Sequence, residues 1–284
     1  SAASDVYKRQ GSNTGAMKLV GDAVRDGQYM IQDNGKMTRG IKLLALCSWG
    51  YIKDYPSFIN ADMNDFHQSR YNANIETRAG DGNTPLNGDH THFIMVDDGS
   101  RYRFFGKSTD FITRFENMVR SPDGLGLPIV TILLEGGKEA LRIVKERLKV
   151  GIACIVIEGS GRAADILGYA YKNVMKFENT SSDIVEYKLR EGHIEKIKKM
   201  IKVAYAGHIK DKKYNSYQKN DMKNILGWVL ECIRYSDIIT LFDITRETQL
   251  DKKILSGLLK GTGMELKHQL YPVSYTHLTL PTKA

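Results

Sequence analysis

The stretch Ala153-Cys-Ile-Val-Ile-Glu-Gly-Ser-Gly-Arg162 decides the fold class, because a run of aliphatic and β-branched residues ends abruptly in an acid and glycines. Two further runs have the same form, His92-Phe-Ile-Met-Val-Asp-Asp-Gly99 and Ile129-Val-Thr-Ile-Leu-Leu-Glu-Gly-Gly137. Apolar runs of this length, bounded by turn residues and separated by helix-length segments, are typical of strands buried on both faces of a parallel sheet. The sequence therefore predicts an α/β fold with a mostly parallel sheet.

The acids and glycines after these strands form the predicted ligand site. Crossover connections place the carboxyl ends of the strands on one edge of a Rossmann-like sheet, where ligands bind, and glycine lets backbone N–H groups approach a phosphate. The turn before the first amphipathic helix and the loop at Trp49 are expected at the same edge. A nucleotide-like ligand is the leading hypothesis. The predicted ligand-binding residues are Gly11, Ser12, Asn13, Thr14, Gly15, Trp49, Asp98, Gly99, Glu135, Gly136, Gly137, Glu158, Gly159, Ser160, Gly161 and Arg162.

Both ends of the chain carry sequence that is foreign to this pattern. Residues 1–10 match a translation of a transposase sequencing adaptor, residues 273–282 match a translation of its reverse complement, and we assign residues 273–284 as a whole to the adaptor. We therefore expect an open-ended fragment of a longer gene, with the first strand of the sheet truncated. Strand and helix alternate over residues 11–180, which predicts the Rossmann-like nucleotide-binding domain. Residues 181–272 carry apolar residues at spacings of three and four, which predicts an all-helical repeat region.

Composition and charge narrow the function classes. The formal charge of +8 falls to +6 when Asp5, Lys8, Arg9 and Lys283, which lie in the adaptor-like ends, are left out. The remaining basic residues are spread through amphipathic segments, which is typical of solvated helix faces and not of nucleic-acid binding. The three cysteines lie far apart, which predicts buried thiols in a reducing cytosol. The fragment contains no apolar stretch near the ~20 residues of a membrane span, so we expect it to be soluble.

One cation and several acids are the residues that could act on a ligand. Arg162 opens a helix at a position where the dipole disfavours a cation, so its guanidinium is predicted to bind a ligand phosphate or carboxylate. The acids could bond ribose hydroxyls, order loops or act as acid and base; they are Asp97, Asp98, Glu135 and Glu158. No nucleophile–base–orienter set is present, and His90 and His92 lack a third metal ligand. We therefore predict neither catalytic nor metal-binding residues.

Three motifs together resemble a known family. The runs His90-Thr-His-Phe-Ile-Met-Val-Asp-Asp-Gly99, Pro128-Ile-Val-Thr-Ile-Leu-Leu-Glu-Gly-Gly137 and Cys154-Ile-Val-Ile-Glu-Gly-Ser-Gly-Arg-Ala-Ala-Asp165 are similar to the SLOG (LSDAT) domain at the cytosolic N-terminus of melastatin-type TRP channels. The resemblance covers residues 11–272. It implies a Rossmann-like sheet followed by helical repeats, in a tetrameric cation channel. In some members the domain binds ADP-ribose or a related nucleotide, and Gly15, the Glu135 loop and Arg162 fit such a site by position.

The chain departs from its relatives at two places. Where relatives that bind ADP-ribose have a tyrosine and then an arginine, this chain has Phe105 and Ile112. The arginines that could substitute are Arg101, Arg103 and Arg114. Phosphoribohydrolases of the wider superfamily have a P-G-G-x-G-T-x-x-E loop, but the corresponding stretch here is Glu135-Gly-Gly-Lys-Glu-Ala-Leu-Arg-Ile143. Because the catalytic glutamate is absent from that position, hydrolysis by that route is not expected.

The sequence therefore favours a cytosolic nucleotide-sensing domain of a melastatin-like channel that takes part in calcium transport. We expect ADP-ribose or a related nucleotide as the ligand and no required cofactor. The expected partners are this ligand, the rest of the channel polypeptide and sister subunits in a homotetramer, without nucleic acid. Two alternatives stay open, a scaffold that assembles such a channel without binding a nucleotide, and a soluble enzyme similar to a nucleotide phosphoribohydrolase.

Overall fold

Helices and parallel strands alternate along the chain, which confirms the α/β prediction. A computed structural model describes residues 15–30, 42–59, 71–72, 83–97, 99, 108–178, 185–205 and 215–261. The elements are α1 (Gly15–Met30), β1 (Leu44–Ser48), β2 (His92–Val96), α2 (Ser108–Arg120), β3 (Val130–Leu134), α3 (Lys138–Lys149), β4 (Ala153–Glu158), α4 (Arg162–Asn173), β5 (Met175–Glu178), β6 (Val185–Lys188), α5 (Glu191–Ala204), α6 (Asn215–Cys232), β7 (Ile239–Asp243) and α7 (Leu250–Gly261). Short 3₁₀ turns cover Trp49–Tyr51, Tyr55–Phe58 and Ile233–Ile238.

The main sheet has three parallel strands in the order β3-β4-β7. Strand β4 lies in the middle, and its side chains from Ala153 to Ile157 are all buried. This burial on both faces explains why these five residues form an unbroken apolar run, since none of them meets water. Leu134 is paired with Ile157, so the loops after β3 and β4 begin side by side at one edge of the sheet.

Four helices, α3 to α6, cover one face of the main sheet. Helix α3 contributes Leu141, Val144 and Leu148, which recur at helical spacing and are almost fully buried. They pack in one core with Cys154 and Val156 of β4 and with apolar residues of α4, α5 and α6. This core therefore contains residues from both sides of position 180 in the chain. The domain boundary that we expect near that position stays a prediction.

Helix α7 covers the opposite face of the main sheet. Ile254 packs with Ile155 and Phe242 in a separate buried cluster. The helix approaches the strands closely at Gly257, where an added Cβ would lie 3.1 Å from Val130 Cγ2 and 3.2 Å from Ile155 Cγ1. A side chain at that position would therefore push the helix off the sheet.

A second, two-stranded parallel sheet consists of β1 and β2. Helix α2 covers one of its faces, where Ile112 packs with Leu46. The same helix is joined to α3 by an ion pair in which Arg147 Nε donates to Glu116 Oε2 at 2.8 Å. Helices α2 and α3 therefore form one layer that connects the two sheets.

The region after residue 183 is mostly helical, but it differs from the all-helical prediction. Strand β6 forms an antiparallel hairpin with β5, and β7 completes the main sheet beside β4. The run Ile239-Thr-Leu-Phe-Asp243 ends in an acid like the predicted strands, but no glycine follows it and helical segments flank it. The three cysteines are buried free thiols, as predicted. In the described ranges, no helix combines the length and the apolar character that crossing a bilayer requires.

Candidate functional site

The loops after β3 and β4 come together at the carboxyl edge of the main sheet, as the sequence predicted. Both loops turn through left-handed backbone, with φ of 54° at Glu135, 81° at Gly136, 87° at Gly159, and 104° at Gly161. Glycine adopts this conformation without strain, whereas Glu135 pays a cost of about 1 kcal/mol or more. The acid–glycine pattern of the sequence thus corresponds to two sharp turns that lie next to each other.

Ser160 joins the two loops through its hydroxyl. Its Oγ accepts a hydrogen bond from the Glu135 N–H at 2.8 Å and donates one to the Ile157 carbonyl at 2.6 Å. The serine side chain therefore fixes the position of Glu135 relative to β4. This role of the hydroxyl is structural, and the predicted contact of Ser160 with a ligand stays a prediction.

The first turn of α4 is capped by the chain itself. The Glu135 carbonyl accepts from the Ala164 N–H at 2.9 Å, and the Gly136 carbonyl accepts from the Ala163 N–H at 3.3 Å. In addition, the Gly159 N–H donates to Asp165 Oδ1 at 2.8 Å. The N–H groups of Ala163 and Ala164 belong to the first turn of the helix, where an N-terminus usually binds anions. Because carbonyl oxygens already accept from these two groups and Asp165 accepts from Gly159, a ligand would have to use other donors of the two loops.

Four other N–H groups of the loops point to such a ligand role. Among the hydrogen bonds of the described residues, none uses the backbone N–H of Gly136, Gly137, Ser160 or Gly161. Successive N–H groups in left-handed turns form concave anion sites. The two glycine loops therefore retain donors for a phosphate even though the first turn of α4 is capped.

Arg162 lies beside these donors. One of its terminal nitrogens is 3.9 Å from the position that a Cβ on Gly137 would take, so the guanidinium passes over that glycine. Nη1 is 3.9 Å from Glu135 Oε1, and Cζ is 5.5 Å from the ring centre of Tyr205. The predicted cation is thus at the predicted edge, close to the acid that directly follows β3 and to an aromatic ring that follows α5.

Glu158 is directed away from this edge. Its Oε2 lies 2.6 Å from Lys172 Nζ, near the C-terminal end of α4, and its Cγ lies against Gly168 in the middle of that helix. The carboxylate therefore packs between β4 and α4. The residue lies at the predicted place in the chain, but its side chain points along the helix because that face of β4 is turned towards α4.

The loop after β7 is a third wall of the edge, and the sequence interpretation missed it. Asp243 is paired with Glu158, and Ile244 Cγ2 lies 2.9 Å from the position of a Cβ on Gly159. Asp243 Oδ1 accepts from the Thr245 hydroxyl at 2.6 Å and from the Thr245 N–H at 2.9 Å. These two hydrogen bonds lower the pKa of Asp243 below its ordinary value.

The remaining predicted site residues belong to the first half of the chain. Gly99, with φ of 73°, follows β2, and its N–H donates to Asp97 Oδ1 at 2.9 Å. Trp49 packs edge-on against Tyr55 at 5.4 Å, in an aromatic cluster beside β1, so its ring is used for packing. Gly15 opens α1 as predicted. Four predicted residues of the turn before α1 and one after β2 lie outside the described residues; they are Gly11, Ser12, Asn13, Thr14 and Asp98.

The histidines and acids of the described residues were the other candidates for metal binding. Within the described residues, no group of three or more histidine, cysteine or acidic side chains could hold a metal ion. His90 Nδ1 lies 2.9 Å from Asn87 Oδ1, and burial lowers the pKa of His90. Its neighbour His92 bonds Thr91 Oγ1 at 2.8 Å. Both histidines therefore form local hydrogen bonds at the start of β2.

Comparison with known proteins shows a match over most of the chain. Residues 9–232 match the eukaryotic LSDAT family, described as SLOG in TRPM. Transient receptor potential cation channel subfamily M member 6 from Homo sapiens is 29% identical over 267 residues, which are 92% of this chain and 12% of that protein. Member 1 from Mus musculus is 26% identical over 269 residues, which are 92% of this chain and 15% of that protein. The chain therefore spans less than a sixth of these relatives.

Proposed function

Because the chain belongs to the eukaryotic LSDAT family, the SLOG domain in TRPM, we propose that it is a cytosolic nucleotide-sensing domain of a melastatin-like cation channel. Its relatives are named as cation channel subunits many times longer than this chain. Conduction, including calcium transport, would then belong to other parts of the polypeptide. The domain would act inside a homotetramer together with the rest of the channel and its sister subunits.

The observation that carries the proposal is the set of four N–H groups beside Arg162. The donors of Gly136 and Gly137 follow β3, and those of Ser160 and Gly161 follow β4, so two adjacent turns each offer a pair. A diphosphate has two adjacent groups of oxygens that could use one pair each. ADP-ribose and related nucleotides contain such a diphosphate, and they are therefore the proposed ligands, with no further cofactor required.

Arg162 connects the proposed ligand position to Tyr205, at the end of α5. A phosphate beside Gly137 would compete with the Glu135 carboxylate for the guanidinium, since both are anions and Nη1 lies 3.9 Å from Glu135 Oε1. Movement of the guanidinium would change its contact with Tyr205, which directly follows α5. A nucleotide that binds one position of Arg162 better than the other would shift the population of the two states.

Calorimetry on the complete chain tests this proposal with a charge-matched pair of variants. The ligands are ADP-ribose, cyclic ADP-ribose, AMP and NAD. Arg162→Gln removes a charge-assisted hydrogen bond of about 1.5–3 kcal/mol, which weakens binding roughly ten- to a hundredfold. Arg190→Gln removes the same charge from an exposed side chain at the start of α5 and should leave the affinity unchanged. Absence of binding by all four nucleotides would refute the sensing function.

A second candidate is a scaffold that assembles the channel without binding a nucleotide. The observation that favours it is the capping of α4, where carbonyls of Glu135 and Gly136 occupy the donors of Ala163 and Ala164. A ligand at 100 times its dissociation constant adds about 2.7 kcal/mol to the free energy of unfolding. Unchanged thermal stability across the four nucleotides would therefore favour the scaffold.

We infer that the domain is a binding domain and not an enzyme. Glu135 is the acid in the loop that matches the phosphoribohydrolase motif, and it is paired with Arg162. At the position where that motif has its catalytic glutamate, the chain has Ile143, which supplies no carboxylate. Turnover of AMP that disappears in Glu135→Gln would contradict this inference.

A further inference from the structure

An isoleucine is exposed at the carboxyl edge of the main sheet, next to the two glycine loops. Ile244 directly follows β7 and its side chain is 51% exposed, whereas Phe242, two positions earlier, is buried. The Ile244 N–H donates to the Glu158 carbonyl at 3.1 Å, so the residue stays beside the end of β4. A single exposed apolar side chain is ordinary on a protein surface. At the edge where ligands of α/β sheets bind, however, it is available for contact with the organic part of a ligand.

A tight turn holds Ile244 in this exposed position. The Asp243 carbonyl accepts from the Arg246 N–H at 3.1 Å and from the Glu247 N–H at 2.8 Å. In return, Glu247 Oε1 accepts from the Asp243 N–H at 3.3 Å. The Asp243 carboxylate also accepts the two hydrogen bonds from Thr245. The backbone on both sides of Ile244 is therefore fixed, so a ligand that covers this side chain would not have to order the turn first.

Gly159 brings the exposed isoleucine close to the donors of the loop after β4. Because Gly159 has no side chain, Ile244 Cγ2 lies 2.9 Å and Thr245 Cγ2 lies 3.6 Å from the position that a Cβ would take. The two methyl groups and the glycine backbone form one apolar surface, which we call the Ile244 surface. Ser160 and Gly161, which carry two of the four N–H donors, follow Gly159 directly. Since consecutive Cα atoms are about 3.8 Å apart, this surface begins within one residue of the anion donors.

The aromatic rings of the candidate site already have other packing partners. Tyr205 packs against the helical core, and its ring centre lies 5.5 Å from Cζ of Arg162. Trp49 packs edge-on against Tyr55 in the aromatic cluster beside β1. Ile244, by contrast, keeps about half of its side chain open to solvent beside the donors. We therefore expect the organic part of a ligand to contact the Ile244 surface.

We propose that the Ile244 surface binds the flat face of the adenine base of the nucleotide, while the diphosphate occupies the N–H donors of the two glycine loops. This proposal rests on the nucleotide-sensing function and adds a position for the base. A nucleotide carries its base one ribose away from its phosphates, and the Ile244 surface likewise lies next to the donors and not over them. The hydrogen-bonding groups of a base lie at its edges, so methyl groups can cover its face without the loss of a hydrogen bond.

The proposal separates ligands by the group that is attached to their diphosphate. ADP-ribose would cover the Ile244 surface, whereas inorganic diphosphate would reach only the donors and Arg162. A change at Ile244 should therefore alter the affinity for ADP-ribose and leave the affinity for inorganic diphosphate as it is. A change at Arg162 should weaken the binding of both ligands, because the guanidinium pairs with phosphate.

Calorimetry on the complete chain tests this difference with ADP-ribose and inorganic diphosphate. Ile244→Ala removes most of the open apolar side chain, so ADP-ribose should bind about three- to tenfold more weakly, with diphosphate unchanged. Leu255→Ala is the matched control, since Leu255 is 58% exposed at the centre of α7, and neither affinity should change. Ile244→Phe offers a flat ring and should strengthen ADP-ribose binding about threefold or more. Loss of folding cannot produce such a gain.

Nuclear magnetic resonance tests the contact directly. In a chain with labelled isoleucine methyl groups, the ring protons of adenine should show a nuclear Overhauser effect to one methyl signal. This signal should be absent from the spectrum of Ile244→Ala. An effect from adenine to other isoleucines, with none to Ile244, would overturn the proposal.

The calorimetric outcomes distinguish this proposal from the function on which it rests. Absence of ADP-ribose binding by the parent chain would overturn the position of the base together with the proposed ligand. If the parent chain binds ADP-ribose and Arg162→Gln weakens that binding, but Ile244→Ala and Ile244→Phe bind as the parent does, only the position of the base is overturned. Equal weakening of both ligands by Ile244→Ala would also overturn it, because the isoleucine would then act on the donors and not on the base.

Discussion

Replacing Ser160 by alanine should separate the two loops of the candidate site. The hydroxyl holds the Glu135 N–H at 2.8 Å and donates to the Ile157 carbonyl at 2.6 Å. The variant leaves a partly buried N–H without its acceptor, at a cost of about 1–3 kcal/mol. Ile157 lies within the central strand, so loss of the second bond should add little. We expect the free energy of unfolding to fall by about 2 kcal/mol.

Thermal unfolding followed by circular dichroism measures this change. For a chain of this size class, a loss of about 2 kcal/mol lowers Tm by roughly 4–8 °C. Ser121→Ala is the matched control, because the Ser121 hydroxyl also accepts one backbone N–H, that of Asp123 at 3.2 Å, but at an exposed turn. Water can replace the acceptor there, so the control should lose less than about 0.5 kcal/mol.

The comparison of the two variants decides whether the reasoning is right. If Ser160→Ala melts within about a degree of the parent chain, the hydroxyl does not join the loops in solution. If Ser121→Ala costs as much, the loss reflects serine removal in general and not the buried link. The Ser160 variant should also bind nucleotide more weakly than the control. The backbone turn at Glu135 sets the positions of the Gly136 and Gly137 N–H groups, and the Ser160 hydroxyl holds that turn in place.

Three further predictions use the backbone, the thiols and a carboxylate. Gly136→Ala should cost about 2–4 kcal/mol in urea unfolding, because φ is 81° and the new Cβ would lie 3.0 Å from Leu133 Cδ1; Gly126→Ala, with φ of 62° and open space, should cost about 1 kcal/mol. Burial raises the pKa of all three thiols, to about 12 in two cases. Ellman's reagent at pH 8 should therefore label the cysteines only after the chain is unfolded. Fast labelling of the folded chain would contradict the burial of these thiols. These residues are Cys47, Cys154 and Cys232. Because the pKa of Asp243 is lowered in the folded chain, its stabilising effect is present above about pH 4 and is lost as the pH falls further. Asp243→Asn should therefore reduce the fall of the urea unfolding midpoint between about pH 4 and lower pH. An unchanged fall would show that this carboxylate does not contribute to the pH dependence of stability.

The sequence correctly predicted those features of the sheet edge that depend on a few consecutive residues. The runs that end at Glu135 and Glu158 are strands, and the glycines after them adopt the left-handed backbone that an acid–glycine turn suggests. Arg162 opens the next helix and its side chain lies at the same edge. Each of these features depends on a few consecutive residues, which is why the sequence was sufficient.

Strand β7 shows the limit of that reasoning. Ile239–Asp243 has the apolar run and the terminal acid of the other strands, but Ile244 and Thr245 follow it in place of glycine. Five residues between helical patterns do not distinguish a strand from a buried helix segment by periodicity. The run becomes a strand because β4 offers an open edge, which is a tertiary cause.

The amino-acid sequence by itself determined the alternation of buried strands and amphipathic helices, the positions of the glycine turns, and the burial of the thiols, because hydrophobic periodicity and backbone freedom are properties of neighbouring residues. The tertiary structure alone decided which N–H groups of the two loops are hydrogen-bonded within the described residues. The Glu135 carbonyl caps Ala164, 29 positions along the chain, and Glu158 turns to Lys172 and away from the edge. Such pairings depend on the distance between elements after packing, and a linear pattern of residues does not contain that distance.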